Sequence, residues 1–87
     1  MGMIRFVRDI NVQRFNRELH IKQGEEFRVK VQSMVPVQYD NTIVTIVYCY
    51  MPFERERKSL EGETMNGKYY DYILCQFVLN EDLEVME

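Results

Sequence analysis

Tyrosines, arginines, two cysteines and a single histidine are the side chains in this 87-residue chain that offer chemistry or recognition. Metal binding is the least supported use of them. His20 is the only histidine, and Cys49 and Cys75 stand far apart, so no C-x-x-C or H-x-x-x-H spacing exists to close a tetrahedral site. Nucleophilic catalysis fares no better. Cys49 or Cys75 would need His20 as a base, yet both sit in apolar runs that hide the sulfur and raise its pKa. Ser33 and Ser59 lie in no elbow-like context. The acid pairs Glu25-Glu26 and Glu61/Glu63 fall at turns, where exposed carboxylates are ordinary. Gly2, Gly24, Gly62 and Gly67 are scattered and build no phosphate loop. No catalytic residue, metal ligand or cofactor is assigned, and the chain reads as a non-enzyme.

Two sets remain for binding. Tyr48 and Tyr50 share one face of a strand, as do Tyr70 and Tyr72. If the two strands are neighbours, the four rings form an aromatic patch with hydroxyls at its edge. Such a patch suits a protein interface, because Tyr supplies contact area with few rotors to freeze. It also suits base stacking on a small β-barrel. The competing use is amphipathic packing in the core. The second set is Arg5, Arg8, Arg14 and Arg17. Arginine clamps phosphate and carboxylate bidentately, which makes Arg14 and Arg17 candidates for an anionic ligand; a solvated surface is the plainer use.

These side chains must be carried by strands. In Glu18–Val31, Leu19 and Ile21 alternate with polar residues, Gln23-Gly24-Glu25-Glu26 interrupts, and Phe27, Val29 and Val31 alternate again. The pattern predicts a hairpin with one wet face. A helix over about residues 12–22, with Val12, Phe15 and Leu19 on one stripe and Gly24 as its stop, competes. Residues 9–16 stay open, with room for a short helical turn. Ser33–Tyr39 carries Pro36, which marks an edge or bulge. Asp40-Asn41 makes a turn into Thr42–Met51, a β-branched and aromatic strand with two apolar faces. Such a strand must be covered on both sides, by the rest of the fold or by a second copy. Pro52 ends the run, and Phe53–Lys58 is alternately charged and solvated. Asn66-Gly67 predicts a type I′ turn between a weak strand at Leu60–Met65 and a second strong one at Lys68–Leu79. The acidic end frays or adds a last edge strand.

Strands in succession with tight turns predict a mostly β fold: one small antiparallel sheet curled into a barrel or sandwich. One short N-terminal helix is admitted, with α+β as the alternative. Residues 1–87 read as a single β-rich domain. The apolar share of 46% and charged share of 29% are those of a globular protein. The net charge of −3 weighs against wholesale nucleic-acid or acidic-membrane binding. Arg5, Arg8, Arg14, Arg17 and Lys22 crowd the first quarter, whereas every charge from Tyr69 onward is acidic. Such asymmetry steers a partner, or means only that the two ends meet in the fold.

Cysteine in these settings behaves as a small hydrophobe, and a Cys49–Cys75 disulfide requires that their strands lie side by side. The N-terminus shows neither a secretory pattern nor a myristoylation motif, and no run is long enough to span a bilayer, so a cytoplasmic location is expected. The expected function is a non-catalytic protein–protein interaction module, a small adaptor or inhibitor. It acts through a tyrosine-rich sheet surface on another protein or on itself as a homo-oligomer. The alternative is a nucleic-acid- or nucleotide-binding module that uses Arg14, Arg17 and the sheet tyrosines.

Overall fold

The computed structural model describes residues 2–55 and 69–86. Eight strands follow one another: β1 (Gly2–Phe6), β2 (Ile10–Arg14), β3 (Arg17–Ile21), β4 (Glu26–Val29), β5 (Val31–Tyr39), β6 (Thr42–Arg55), β7 (Tyr69–Val78) and β8 (Leu83–Val85). They form three antiparallel sheets, ordered β4-β1-β8, β2-β3 and β5-β6-β7. The mostly β class is as expected, in a sandwich-like arrangement, and no helix occurs among the described residues. The helix considered over residues 12–22 is therefore replaced by the β2–β3 hairpin, and the molecule is elongated, 59 × 24 × 22 Å.

Period-2 burial explains how the sheets meet. Ile4 and Phe6 of β1, Val29 of β4 and Leu83 of β8 turn inward. They meet the odd-numbered residues of the long sheet, Val47, Cys49, Met51, Phe53, Cys75 and Phe77. Phe6 is the join. Its ring stands edge-on to Phe27 of its own sheet at 5.7 Å and to Phe77 of the other at 5.0 Å, the geometry that aromatic quadrupoles favour. The β2–β3 hairpin adds Ile21, with Ile10, Val12 and Leu19 packed beside it. Its other side is wet, and there Asn11, Gln13, Glu18 and His20 bond across the strands.

Three expectations are corrected. The strands either side of Gly24 exist, but they do not pair with each other: β3 pairs with β2, and β4 pairs with β1. Gly24, at φ 90°, makes the tight step between sheets, and its N–H donates to the Phe6 carbonyl at 2.8 Å. Only glycine takes that backbone freely. Phe15 does not lie on a helical stripe. With Asn16 it forms the β2–β3 turn, both at positive φ (51° and 63°), and its ring is exposed. Pro52 does not end the Thr42–Met51 run, because β6 continues to Arg55. The Tyr50 N–H donates to the Lys30 carbonyl, toward the β5 side. Two residues on, the nitrogen of Pro52 faces the same side, where β5 has already finished, so no ladder bond is lost. The expectations for Ser59, Leu60–Met65, Asn66-Gly67 and most of the charged run to Lys58 lie outside the described residues.

The charge asymmetry resolves inside the fold. Arg5 sits in register between Glu26 and Glu84 and pairs with both, at 3.9 and 3.0 Å. Arg8 donates through Nε and Nη2 to Oδ1 of the buried Asp82, whose Oδ2 accepts the Val78 N–H at 2.7 Å. The basic start and the acidic end are thus adjacent, and they neutralise each other.

Phe6→Ala removes the ring that joins two sheets. It should lower unfolding stability by about 3–5 kcal/mol in urea titrations. A loss below about 1 kcal/mol would mean that the sheets are held together elsewhere.

Candidate interaction surface

Register decides whether the four tyrosines meet. β6 and β7 are hydrogen-bonded neighbours, with Tyr48 opposite Gln76, Tyr50 opposite Leu74, Pro52 opposite Tyr72 and Glu54 opposite Tyr70. Opposed residues in an antiparallel pair point to the same side. Tyr48, Tyr50, Tyr70 and Tyr72 therefore share one face of the sheet, the face turned away from the core. None of them belongs to the buried cluster. Tyr70 and Tyr72 are 47% and 61% exposed, whereas Tyr48 and Tyr50 are half-buried.

Local sequence explains the difference. A bulge between Val31 and Ser33 inserts Gln32 into β5. Its side chain reaches the neighbouring strand, where the Tyr50 hydroxyl donates to Gln32 Oε1 at 2.8 Å. Val29, Lys30, Tyr50 and Tyr72 then line an apolar concavity of about 320 Å³. The same outer face continues along β5 and the start of β6 through Val35, Val37, Tyr39, Val44 and Ile46. Tyr39 is 72% exposed. This face bears no packed layer among the described residues.

The arginines are elsewhere. Arg14 and Arg17 oppose each other at the end of the β2–β3 hairpin, on the side that also carries Ile10, Val12, Leu19 and Ile21. That side faces the inner surface of the long sheet. Arg17 pairs with Asp71 at 2.8 Å, and Asp71 also receives Arg55 at 3.4 Å. Arg14 lies over the Phe15 ring at 5.6 Å. Arg14 and Arg17 are thus near each other but on the opposite side of the sheet from the tyrosines. The exposed Phe15, a bulky residue held at positive φ, was missed by periodicity, which counted it toward a buried stripe. A turn of this type normally announces itself with Asn or Gly at both central positions, and Phe-Asn carries half of that signal.

Cys49 and Cys75 are cross-strand partners, directly opposed in register, and both are free and buried. The Cys75 thiol donates to the Ile73 carbonyl at 3.4 Å. Burial, and secondarily the neighbouring Cys75, pushes the Cys49 thiol up to about 12. Burial raises Cys75 as well, partly offset by the Arg14 guanidinium. Thiols held protonated in this way are poor nucleophiles. His20 sits on the wet side of its hairpin, with Nδ1 2.7 Å from Asn11 Oδ1 and Nε2 3.0 Å from Glu18 Oε2. No group of three potential metal ligands occurs among the described residues, nor any helix long and apolar enough to cross a membrane.

The raised Cys49 thiol has a signed consequence. Above pH 9 the unfolded thiol releases its proton while the folded one keeps it. The native state then binds more protons, and stability falls as pH rises from about 9 toward 12. Denaturation across that range should show a shallower fall for Cys49→Ala than for the unsubstituted chain. Identical slopes would mean that the thiol is not shielded.

In comparisons with known proteins, no family model, no curated protein and no solved structure matches this chain.

Proposed function

We propose that this chain is a non-catalytic protein–protein interaction module, a small adaptor or inhibitor that binds through the outer face of the β5-β6-β7 sheet. One observation carries the reading: Tyr48, Tyr50, Tyr70 and Tyr72 lie on one sheet face that the core does not use. Tyrosines on a rigid sheet give a partner large, partly apolar contact area with hydroxyls available for hydrogen bonds, at little conformational cost. The inward face is filled by the protein's own core, so the two sides of one sheet do different work. A cytoplasmic location suits the two free thiols, since cysteines opposed across strands would meet oxidants elsewhere.

The nucleic-acid reading asks Arg14 and Arg17 to work on the same surface as the tyrosines. Their separation across the sheet, and the pairing of Arg17 with Asp71, favour a protein partner instead.

Tyr70→Asp combined with Tyr72→Asp places charge on the exposed part of the face. The variant should keep its far-UV circular dichroism and stay within about 1 kcal/mol of the parent stability, because both sites are solvated. It should lose the cross-links that the tagged parent chain forms with protein partners in its host cells. Retention of all of those cross-links by the folded variant would overturn the proposal.

A further inference from the structure

We infer that Cys49 and Cys75 form an oxidisable pair, which hydrogen peroxide closes into a reversible disulfide that ties β6 to β7 directly behind the tyrosine face. The inference is independent of the interaction reading above, because it concerns the inner side of the same two strands and needs no partner.

Placement comes first. The chain has two cysteines, and the ladder sets them opposite each other. Both enter the same buried cluster, so both sulfurs lie on the inner side of the sheet. The Leu79 N–H donates to the Thr45 carbonyl, which makes those residues a hydrogen-bonded pair. Such pairs recur at every second position, so Cys49–Cys75 and Met51–Ile73 are pairs of the same kind. Their Cα atoms stand about 5.5 Å apart, inside the roughly 4.4–6.8 Å that a disulfide spans. The Ile73 carbonyl is then directed at β6, and the Cys75 thiol donates to it at 3.4 Å. That contact leans the Cys75 sulfur toward the strand that carries Cys49. The two thiols are also within electrostatic reach: after burial, the facing Cys75 is what holds the Cys49 thiol protonated.

Access and the number of thiols decide the chemistry. Cys75 is 4% exposed, whereas Cys49 has no exposed area. Burial raises the Cys75 thiol, but the Arg14 guanidinium partly offsets it, so Cys75 ionises before Cys49. An oxidant must be nearly as small as water to reach it, which hydrogen peroxide is. The Cys75 thiolate attacks one peroxide oxygen, the O–O bond breaks, and a sulfenic acid forms as the other oxygen takes up a proton and leaves as water. The Cys49 sulfur then attacks the sulfenic sulfur. The S–S bond forms, the S–O bond breaks, and the second oxygen leaves as water with the Cys49 proton. The two thiols give up two electrons in all, and one peroxide becomes two waters. The chain holds no third thiol to intercept the sulfenic acid. The new bond fixes the register at Cys49–Cys75, and with it the flanking pairs Tyr48–Gln76 and Tyr50–Leu74 on the reverse side. A thiol reductant removes the tie.

Graded hydrogen peroxide on the folded full chain tests this, followed by denaturation, alkylation of the remaining thiols and digestion with trypsin. Cleavage after Lys30, Arg55 and Lys68 leaves Cys49 in residues 31–55 and Cys75 in residues 69–87, one cysteine in each peptide. The two thiols should disappear together, and the disulfide-linked pair of these peptides should replace them in a chain that stays single on a non-reducing gel. Dithiothreitol should restore both thiols. A folded chain that keeps both thiols at peroxide doses that oxidise them in urea overturns the inference. Oxygen adducts on either cysteine without the linked peptides overturn it too, as do links formed only between two chains.

Discussion

The dry seam between the odd-numbered face of β6 and the β4-β1-β8 sheet is the constraint on which everything else depends. Val47, Cys49, Met51 and Phe53 have no exposed area, and Ile4, Phe6, Val29 and Leu83 close over them. Fully burying a side chain of this size is worth about 1.5–3 kcal/mol, so this one stripe supplies much of what a small domain has available. Its consequence is geometric. Once alternate residues of β6 are committed inward, the others must point out, and Tyr48 and Tyr50 go with them. Pairing with β7 carries the same division to Tyr70 and Tyr72. The tyrosine face is the obligatory reverse side of the core.

Electrostatics reinforces the division. Described ion pairs gather on the body: Arg5 between two glutamates, Arg8 on Asp82, and Arg17 and Arg55 on Asp71. Those exposed pairs add little individually. Arg8 with Asp82 is the exception, since Asp82 is buried and its second oxygen holds the Val78 amide, so one carboxylate fastens the β7–β8 turn to the start of the chain. From Val31 to Phe53 the β5–β6 hairpin carries only Asp40, and the outer sheet face continuous with it is uncharged along β6 from Tyr48 to Pro52. The exposed end of the molecule is thus apolar, and the neutralised end holds the core.

How much of this was legible in the sequence depends on the range of the interaction involved. The two strong strands, the edge character of β5 at Pro36 and the Asp40-Asn41 turn all follow from residues within a few positions of each other, and all are present. His20 on a wet face follows from alternation, and both cysteines in the core follow from the apolar runs that hold them. Pairing is different. Alternation around Gly24 finds two strands but says nothing of their neighbours, and here the chain steps from one sheet to another. The helix alternative arose because Val12, Phe15 and Leu19 satisfy a helical spacing, and only the turn at Phe15-Asn16 separates the cases. Pro52 misled because the cost of a missing donor depends on which neighbour it would have served. For the candidate site, period 2 placed each tyrosine pair on one face, but whether the pairs shared a face rested on register. The placement of Arg14 and Arg17 on the other side rested on the packing of the β2–β3 hairpin against the inner face, where Arg17 meets Asp71, many residues away.

The most direct test of the central claim, that the outer sheet face is where a protein partner sits, is hydroxyl-radical footprinting of the chain alone and in the complex recovered from its host cells. The account predicts that Tyr70 and Tyr72 react freely in the isolated chain and become protected in the complex, while Phe15 at the hairpin tip stays reactive in both. Protection confined to Phe15 and its neighbours, with the tyrosines equally reactive in both states, would contradict it.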